Sequence, residues 1–288
     1  MFNRVAIIGL GLIGGSMGLA LRQARAAQQV IGYDLGKGVS EHAKKVGAID
    51  EARLTLSDTV RGADLVIIAT PVGAVRALLQ NIAGELIPGT VVTDVASTKV
   101  QVIKWAEELL PAGIAFVGGH PMTGKELSGV DAADATLFRR CIYCLTPTES
   151  TSATAIAKVS ALVETLGARV RFLTPAEHDK QVAGVSHLPF LASVALVNTV
   201  ASDETWGKAA LLAASGFRDA SRLAAGNPEM YRDICLTNSE AITDWLDTYI
   251  AMLTTLRQQV ASQDKELGDA FVQAQQRRLQ WQASREEG

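Results

Sequence analysis

Gly9, Gly11 and Gly14 stand in the run VAIIGLGLIGGS (5–16), and their spacing suits a chain that must bring backbone N–H groups up to a phosphate. The first glycine permits a tight turn after a strand. The second lets a pyrophosphate approach, and the third lets the next helix pack closely on that strand. Leu12 and Ile13 open the helix, whose free N–H groups and partial positive charge meet the anion. A second apolar run, VIGYD, ends in Asp34 at about the 20-residue interval that this fingerprint requires. A carboxylate there can accept bonds from both hydroxyls of a ribose and repels a 2′-phosphate, so the pattern reads as a site for NAD. Lys37, just beyond, keeps NADP open. A signal peptide is the competing reading of the amino terminus, with Arg4 before the apolar run and ARAA at 24–27, but five glycines between Val5 and Leu21 do not fit an apolar leader core.

Proton chemistry points to His120, in GGHPMTGKE. An imidazole with an ordinary pKa near 6.5 can take a hydroxyl proton at neutral pH while hydride leaves the same carbon. Gly118 and Gly119 beside it leave room for substrate. Thr70-Pro71, Ser97 and Lys99 also follow apolar strand-like runs, and with Gly11 and Asp34 they would crowd the carboxyl edge of one sheet, where open α/β folds bind ligands. Ser97 reads either as a partner that fixes the imidazole tautomer or as the cap of the next helix. Further on, SGFRDASRLAAGNPEMYRD carries Arg218, Asp219 and Arg222 in a segment that reads as loop-like, and an arginine fork suits a substrate carboxylate. His187 alone, on an apolar helix before Pro189, reads as a core histidine.

The elements that must position these groups alternate. Strands are expected at 65–69, 90–95, 115–118, 141–145 and 169–173 besides the first two, and a helix after Gly11 is expected to run to about Ala27. Alternation of this kind implies an α/β, Rossmann-like, doubly wound and mainly parallel sheet. After Thr174-Pro175 the pattern is helical only, so the expected division is a dinucleotide-binding domain at 1–174 and an all-α substrate and dimerisation domain at 175–288. Gln181 to Ser202 contains no Asp, Glu, Lys or Arg, which on length alone could cross a bilayer. His187, Pro189, Ser193 and Asn198 favour a helix buried in the helical domain or at a homodimer interface, and not in a membrane. A net charge of −3 offers no attraction for nucleic acid, so an anionic small molecule must be held by local cations. Three cysteines, an odd number, suit a reducing cytoplasm. Cys141 and Cys144 form a CxxC in a strand-like run, where they point to opposite faces, so they read as core thiols and no metal site is expected.

GLGLIGGS, DVASTK, GGHPMTGKE, LTPTE, SHLP and GFRDASRLAAGNPEMYRDI, in that order, resemble the prephenate and arogenate dehydrogenases of tyrosine biosynthesis over nearly the whole chain. The resemblance implies oxidative decarboxylation of a cyclohexadienol, with His120 as catalytic base and Ser97 as its hydrogen-bonding partner. It implies that His187 and Arg222 touch substrate, that Asp219 supports His187, and that the helical domain dimerises. Lys125 becomes a further candidate cation. Phe190 stands where prephenate-type members often carry a second histidine (SHLPH), and Lys125 where a small hydroxyl residue is common, which tilts the choice toward arogenate. Two rival readings are a β-hydroxyacid dehydrogenase or imine reductase of the same plan, and a non-catalytic NAD-sensing regulator. A strand-end histidine paired with Arg222 speaks against both.

Overall fold

The computed structural model describes residues 1–124 and 127–286. Eight strands form one sheet: β1 (Phe2–Ile8), β2 (Ala27–Tyr33), β3 (Glu51–Ala52), β4 (Leu65–Ile68), β5 (Val91–Asp94), β6 (Ala115–Pro121), β7 (Ile142–Thr146) and β8 (Arg169–Phe172). Their order is β3-β2-β1-β4-β5-β6-β7-β8. Every neighbouring pair is parallel except β6 with β7. Val5–Ile8 and all of β4 are buried, as continuous apolar runs must be when helices cover both faces of a parallel sheet. The covering helices are α1 (Leu12–Gln23), α2 (Val39–Lys45), α3 (Leu56–Val60), α4 (Val72–Ile82), α5 (Val100–Leu109) and α6 (Ala153–Thr165).

The structure departs from the sequence expectations at two points and adds a third element. The helix after Gly11 stops at Gln23, because Arg25 takes a positive φ and β2 already begins at Ala27. The strand that carries His120 extends to Pro121, because β7 returns antiparallel and pairs Cys144 with His120 and Tyr143 with Pro121. The short edge strand β3 has too few residues to show a pattern.

After Thr174 only helices follow: α7 (Pro175–Val182), α8 (Leu188–Ala201), α9 (Trp206–Ala209), α10 (Ser215–Ser221), α11 (Pro228–Thr237), α12 (Ser239–Ala261) and α13 (Leu267–Glu286). Thr174 and Glu177 form a reciprocal capping box that starts α7 sharply. Residues Ala183–His187 join α7 to α8 as a single π-helical turn, and Pro189 follows in the first turn of α8. Such π turns recur at functional sites because they re-aim the side chains beside them. Arg218 lies on a short helix and Arg222 on the 3₁₀ turn after it, so the segment expected to be loop-like is helical.

Contacts divide the chain into Met1–Ala241 and Ile242–Gly288. The first unit holds the sheet and the helices through α11. The second holds most of α12 and all of α13, with Ile250, Met252, Leu253, Val260, Phe271, Val272, Leu279 and Trp281 exposed.

Candidate active site

The sheet order reverses between β1 and β4, and the carboxyl ends of these two strands form the crevice in which open α/β sheets take their ligand. Gly9 leaves β1 at φ +92°, a left-handed conformation that side chains rarely adopt, and a Cβ there would lie 2.5 Å from the Ala69 carbonyl oxygen. A Cβ on Gly14 would meet the Gly9 carbonyl oxygen at 1.9 Å. Gly11 is different, since it caps α1 and a Cβ would have nothing within 4 Å. Two glycines therefore close the turn, and the third leaves open space at a helix start with no acidic residue in its first turn. Leu12 and Ile13 are half-buried at that start.

At the end of β2, Asp34 accepts hydrogen bonds from Leu10 N and Gly36 N, both at 2.8 Å, one on each carboxylate oxygen. Each oxygen keeps acceptor capacity for a sugar hydroxyl. Thr70, just after β4, has a buried Oγ1 with no partner among the described residues, and its methyl would lie 2.9 Å from a Cβ on Gly9. An open glycine, an oriented carboxylate and an orphaned hydroxyl around the switch point fit a dinucleotide.

His120 is half-buried at the end of β6, beyond the last residue paired with β5. Its Nδ1 lies 2.9 Å from Nε2 of His178, with the two rings edge to face. His178 Nδ1 in turn lies 2.8 Å from Asp179 Oδ1. Burial, and then the neighbouring His178, Lys99 and His187, hold the His120 pKa well below the ordinary 6.5, so the ring is neutral at physiological pH.

Directly beneath lies a buried ion pair. Lys99 Nζ binds Asp94 and also donates to the Gly119 carbonyl at 2.8 Å, while the Asp94 carboxylate accepts from Gly119 N and Ala96 N. Lys99 is thus part of the platform and not an open substrate cation. The same packing corrects the reading of Gly118 and Gly119. A Cβ on Gly118 would meet Thr146 Oγ1 at 2.4 Å and one on Gly119 the Asp94 carbonyl oxygen at 2.6 Å, so the vacant side-chain space belongs to the protein and not to a substrate.

Ser97 makes no hydrogen bond to His120, whose Nδ1 is taken by His178. It lines a cleft of about 470 Å³ together with Gly124, Pro189, Phe190, Leu223 and Tyr231. Phe190 and Tyr231 stack face to face there at 4.0 Å, and the Tyr231 hydroxyl donates to the Leu223 carbonyl. Burial raises the Tyr231 phenol pKa, with the nearby Arg222 cation opposing. Arg222 immediately precedes Leu223, one of the residues lining the cleft. Asp219 is not where the resemblance put it: it is exposed, with Arg218 3.4 Å away, and His187 has Asn238 as its neighbour instead. His187 is buried, and burial lowers its pKa to about 4. Lys125 lies outside the described residues.

The sequence reading therefore missed His178, Asp179 and Asn238. One signal was present, an adjacent histidine and aspartate in the first turns of a helix with a well-defined start.

Two family models together span most of the chain: "Prephenate dehydrogenase, nucleotide-binding domain" at residues 17–172 and "Prephenate dehydrogenase, dimerization domain" at 174–275. The chain belongs to the prephenate dehydrogenase family. It is 37% identical over 268 residues to the prephenate dehydrogenase of Bacillus subtilis, covering 92% of this chain and 72% of that one. Synechocystis arogenate dehydrogenase superposes with a TM-score of 0.83 at 34% identity, covering 96% of this chain and 99% of that one. Prephenate dehydrogenase from A. aeolicus, in complex with hydroxyphenyl propionate and NAD+, superposes with a TM-score of 0.91 at 29% identity, covering 97% and 98%.

Proposed function

We propose that this enzyme catalyses the NAD-dependent oxidative decarboxylation of a cyclohexadienol that bears a ring carboxylate, arogenate in preference to prephenate. The observation that carries the mechanism is the contact of His120 Nδ1 with His178, which leaves Nε2 as the nitrogen able to receive a proton. Gly11 and Asp34 would hold the pyrophosphate and ribose of a nicotinamide dinucleotide, which would supply the hydride acceptor. His120 Nε2 takes the hydroxyl proton as the carbinol C–H leaves as hydride. The bond to the ring carboxylate then breaks, CO2 departs, and its electron pair completes the aromatic ring. The phenolate oxygen formed recovers the proton from His120, so protons balance over the turnover. No metal or Schiff base is required, because aromatisation drives the loss of CO2.

Gly9, Gly11, Leu12, Ile13, Gly14, Asp34 and Thr70 form the cofactor site in this reading. Ser97, His187 and Arg222 face the anionic substrate, with the Phe190–Tyr231 stack as an apolar wall suited to the ring. Asp34 supports NAD over NADP by its charge. The division at residue 174, a homodimer formed through the helical part and a cytoplasmic location belong to the same proposal. The division and the dimer are supported by the change to all-helical structure at that point, the family's dimerization domain and the exposed apolar residues there.

The test is absorbance at 340 nm with arogenate and prephenate, each paired with NAD and NADP, for the wild type and His120→Asn. Arogenate with NAD should give the highest kcat/KM. His120→Asn should bind NAD normally and lose at least about 10²-fold in kcat, the usual contribution of a positioned base. Unchanged turnover in that variant would remove His120 from the chemistry.

A further inference from the structure

Asp179 sits at the crossing of two hydrogen-bond chains that end on two different histidines. Its side chain accepts from Lys99 N at 2.7 Å, from Val100 N at 2.9 Å and from His178 Nδ1 at 2.8 Å. Its backbone carbonyl accepts from the Asn238 amide at 2.9 Å, and the same amide nitrogen lies 3.3 Å from His187 Nδ1. Asp179, His178, His187 and Asn238 are all buried, so none of these roles can be taken over by bulk water.

The donor and acceptor roles follow step by step. A carboxylate only accepts, so His178 Nδ1 carries a proton and donates it to Asp179. In the neutral ring, Nε2 of His178 is then a bare acceptor. It can be satisfied by His120 only if His120 carries its proton on Nδ1, which leaves His120 Nε2 with a free lone pair. Along the other chain, the Asn238 nitrogen is fixed as the NH2 end because it faces a carbonyl oxygen. His187 Nδ1 must then accept, and the His187 proton resides on Nε2. That nitrogen is buried and has no partner among the described residues. A buried N–H without an acceptor is costly, unless a ligand oxygen supplies one.

We propose that Asp179 is a positioning residue that sets the two rings in opposite tautomers, His120 as an acceptor at Nε2 for the substrate hydroxyl proton and His187 as a donor at Nε2 to a substrate oxygen. The inference rests on His120 being the base. One residue next to the start of α5 thereby orients both the group that removes a proton and the group that holds the anion. It also ties them to the strand-end platform, because the Lys99 N–H that it accepts belongs to the residue whose ammonium binds Asp94.

The protein contains four histidines, which makes the direct measurement practicable. The full-length enzyme labelled with ¹⁵N-histidine should show, in long-range ¹H–¹⁵N spectra at neutral pH, a protonated Nδ1 and bare Nε2 for His120, and the reverse for His187. His120 with its proton on Nε2, or His178 protonated on both nitrogens, would overturn the proposal without any variant. Kinetics give the second arm. His178→Phe keeps a ring but removes the acceptor and should lower kcat by about 10²-fold, with KM for NAD within about twofold. His178→Gln, whose amide oxygen can accept from His120 Nδ1, should recover at least about tenfold of that loss. Equal losses in the Phe and Gln variants would reduce His178 to packing and defeat the relay. An inactive His120→Asn beside an unimpaired His178→Phe would defeat the relay alone, whereas an active His120→Asn would defeat the base assignment itself.

Discussion

His187 shows how much a single buried side chain can couple function to pH. Its pKa falls to about 4 because burial disfavours the charged ring, while an unfolded chain would bind the proton near the ordinary 6.5. The unfolded state therefore holds more protons between these values, so the stability contribution is complete above about pH 6.5 and is lost as pH falls toward 4. Between roughly pH 7 and pH 5 the loss amounts to about 2 kcal/mol for this one group. His120 adds a loss of the same sign, since its pKa is also lowered by burial. Denaturant unfolding at the two pH values should show the wild type losing more stability than His187→Leu, and equal losses would place the proton sink elsewhere. The residue scale is also where sequence legibility divides. His120, Asp34 and the three glycines could be singled out as candidates because each lies within a short local pattern. His178 was not, because its value lies in a bond to a residue 58 positions away that no local period encodes. The pairing of Asp219 with His187 failed for a related reason: adjacent charges, Arg218 and Asp219, satisfy each other on a short exposed helix.

At the scale of elements, the turn from β1 into α1 separates two duties that the motif runs together. Gly14 is needed for packing, because its hydrogen faces the Gly9 carbonyl with no room for a methyl group. Gly11 is needed only for approach of a ligand, because the space in front of it is open and its φ of −73° suits any residue. Gly14→Ala should therefore lower Tm by several degrees, as overpacking costs about 1–3 kcal/mol. Gly11→Ala should leave Tm unchanged and weaken NAD binding by tenfold or more, since about 1.4 kcal/mol of lost phosphate contact suffices. Calorimetry of both variants with and without NAD checks the contrast, and a Gly11→Ala protein that binds NAD normally would place the pyrophosphate elsewhere. Most of the sheet was legible for the same reason as this turn, since buried parallel strands must be short apolar runs. The antiparallel return of β7 was not legible, because direction leaves no mark on composition.

For the whole molecule, the continuous helix Pro175–Ala201 poses the remaining physical problem. It is long and apolar enough to cross a membrane, with a mean hydropathy of 1.4 over an 18-residue window, yet only 28% of that window is buried within the chain. Burial inside a single helical domain, one of the two sequence expectations, therefore does not account for it. Within α8 only Phe190 and Ser193 are buried, and in the π turn before it Val185 is exposed. Two observations favour a second copy of this chain as the cover and not a bilayer. The buried His187 just before α8 belongs to a hydrogen-bonded site, and the helix Pro175–Ala201 lies wholly within the family's dimerization domain. Exposed apolar surface on this scale marks an association face. Sedimentation at micromolar concentration should give twice the 30.5 kDa of one chain without detergent. Val185 also lines the cleft that holds Ser97 and Tyr231, so a substitution there would mix assembly with catalysis. The cleaner disruption is Ala195→Asp, which is exposed on α8 and is not among the residues lining the cleft. That variant should sediment as a monomer. A wild-type monomer, or a wild type that sediments only with lipid or detergent bound, would refute the dimer and require another cover for the apolar helix.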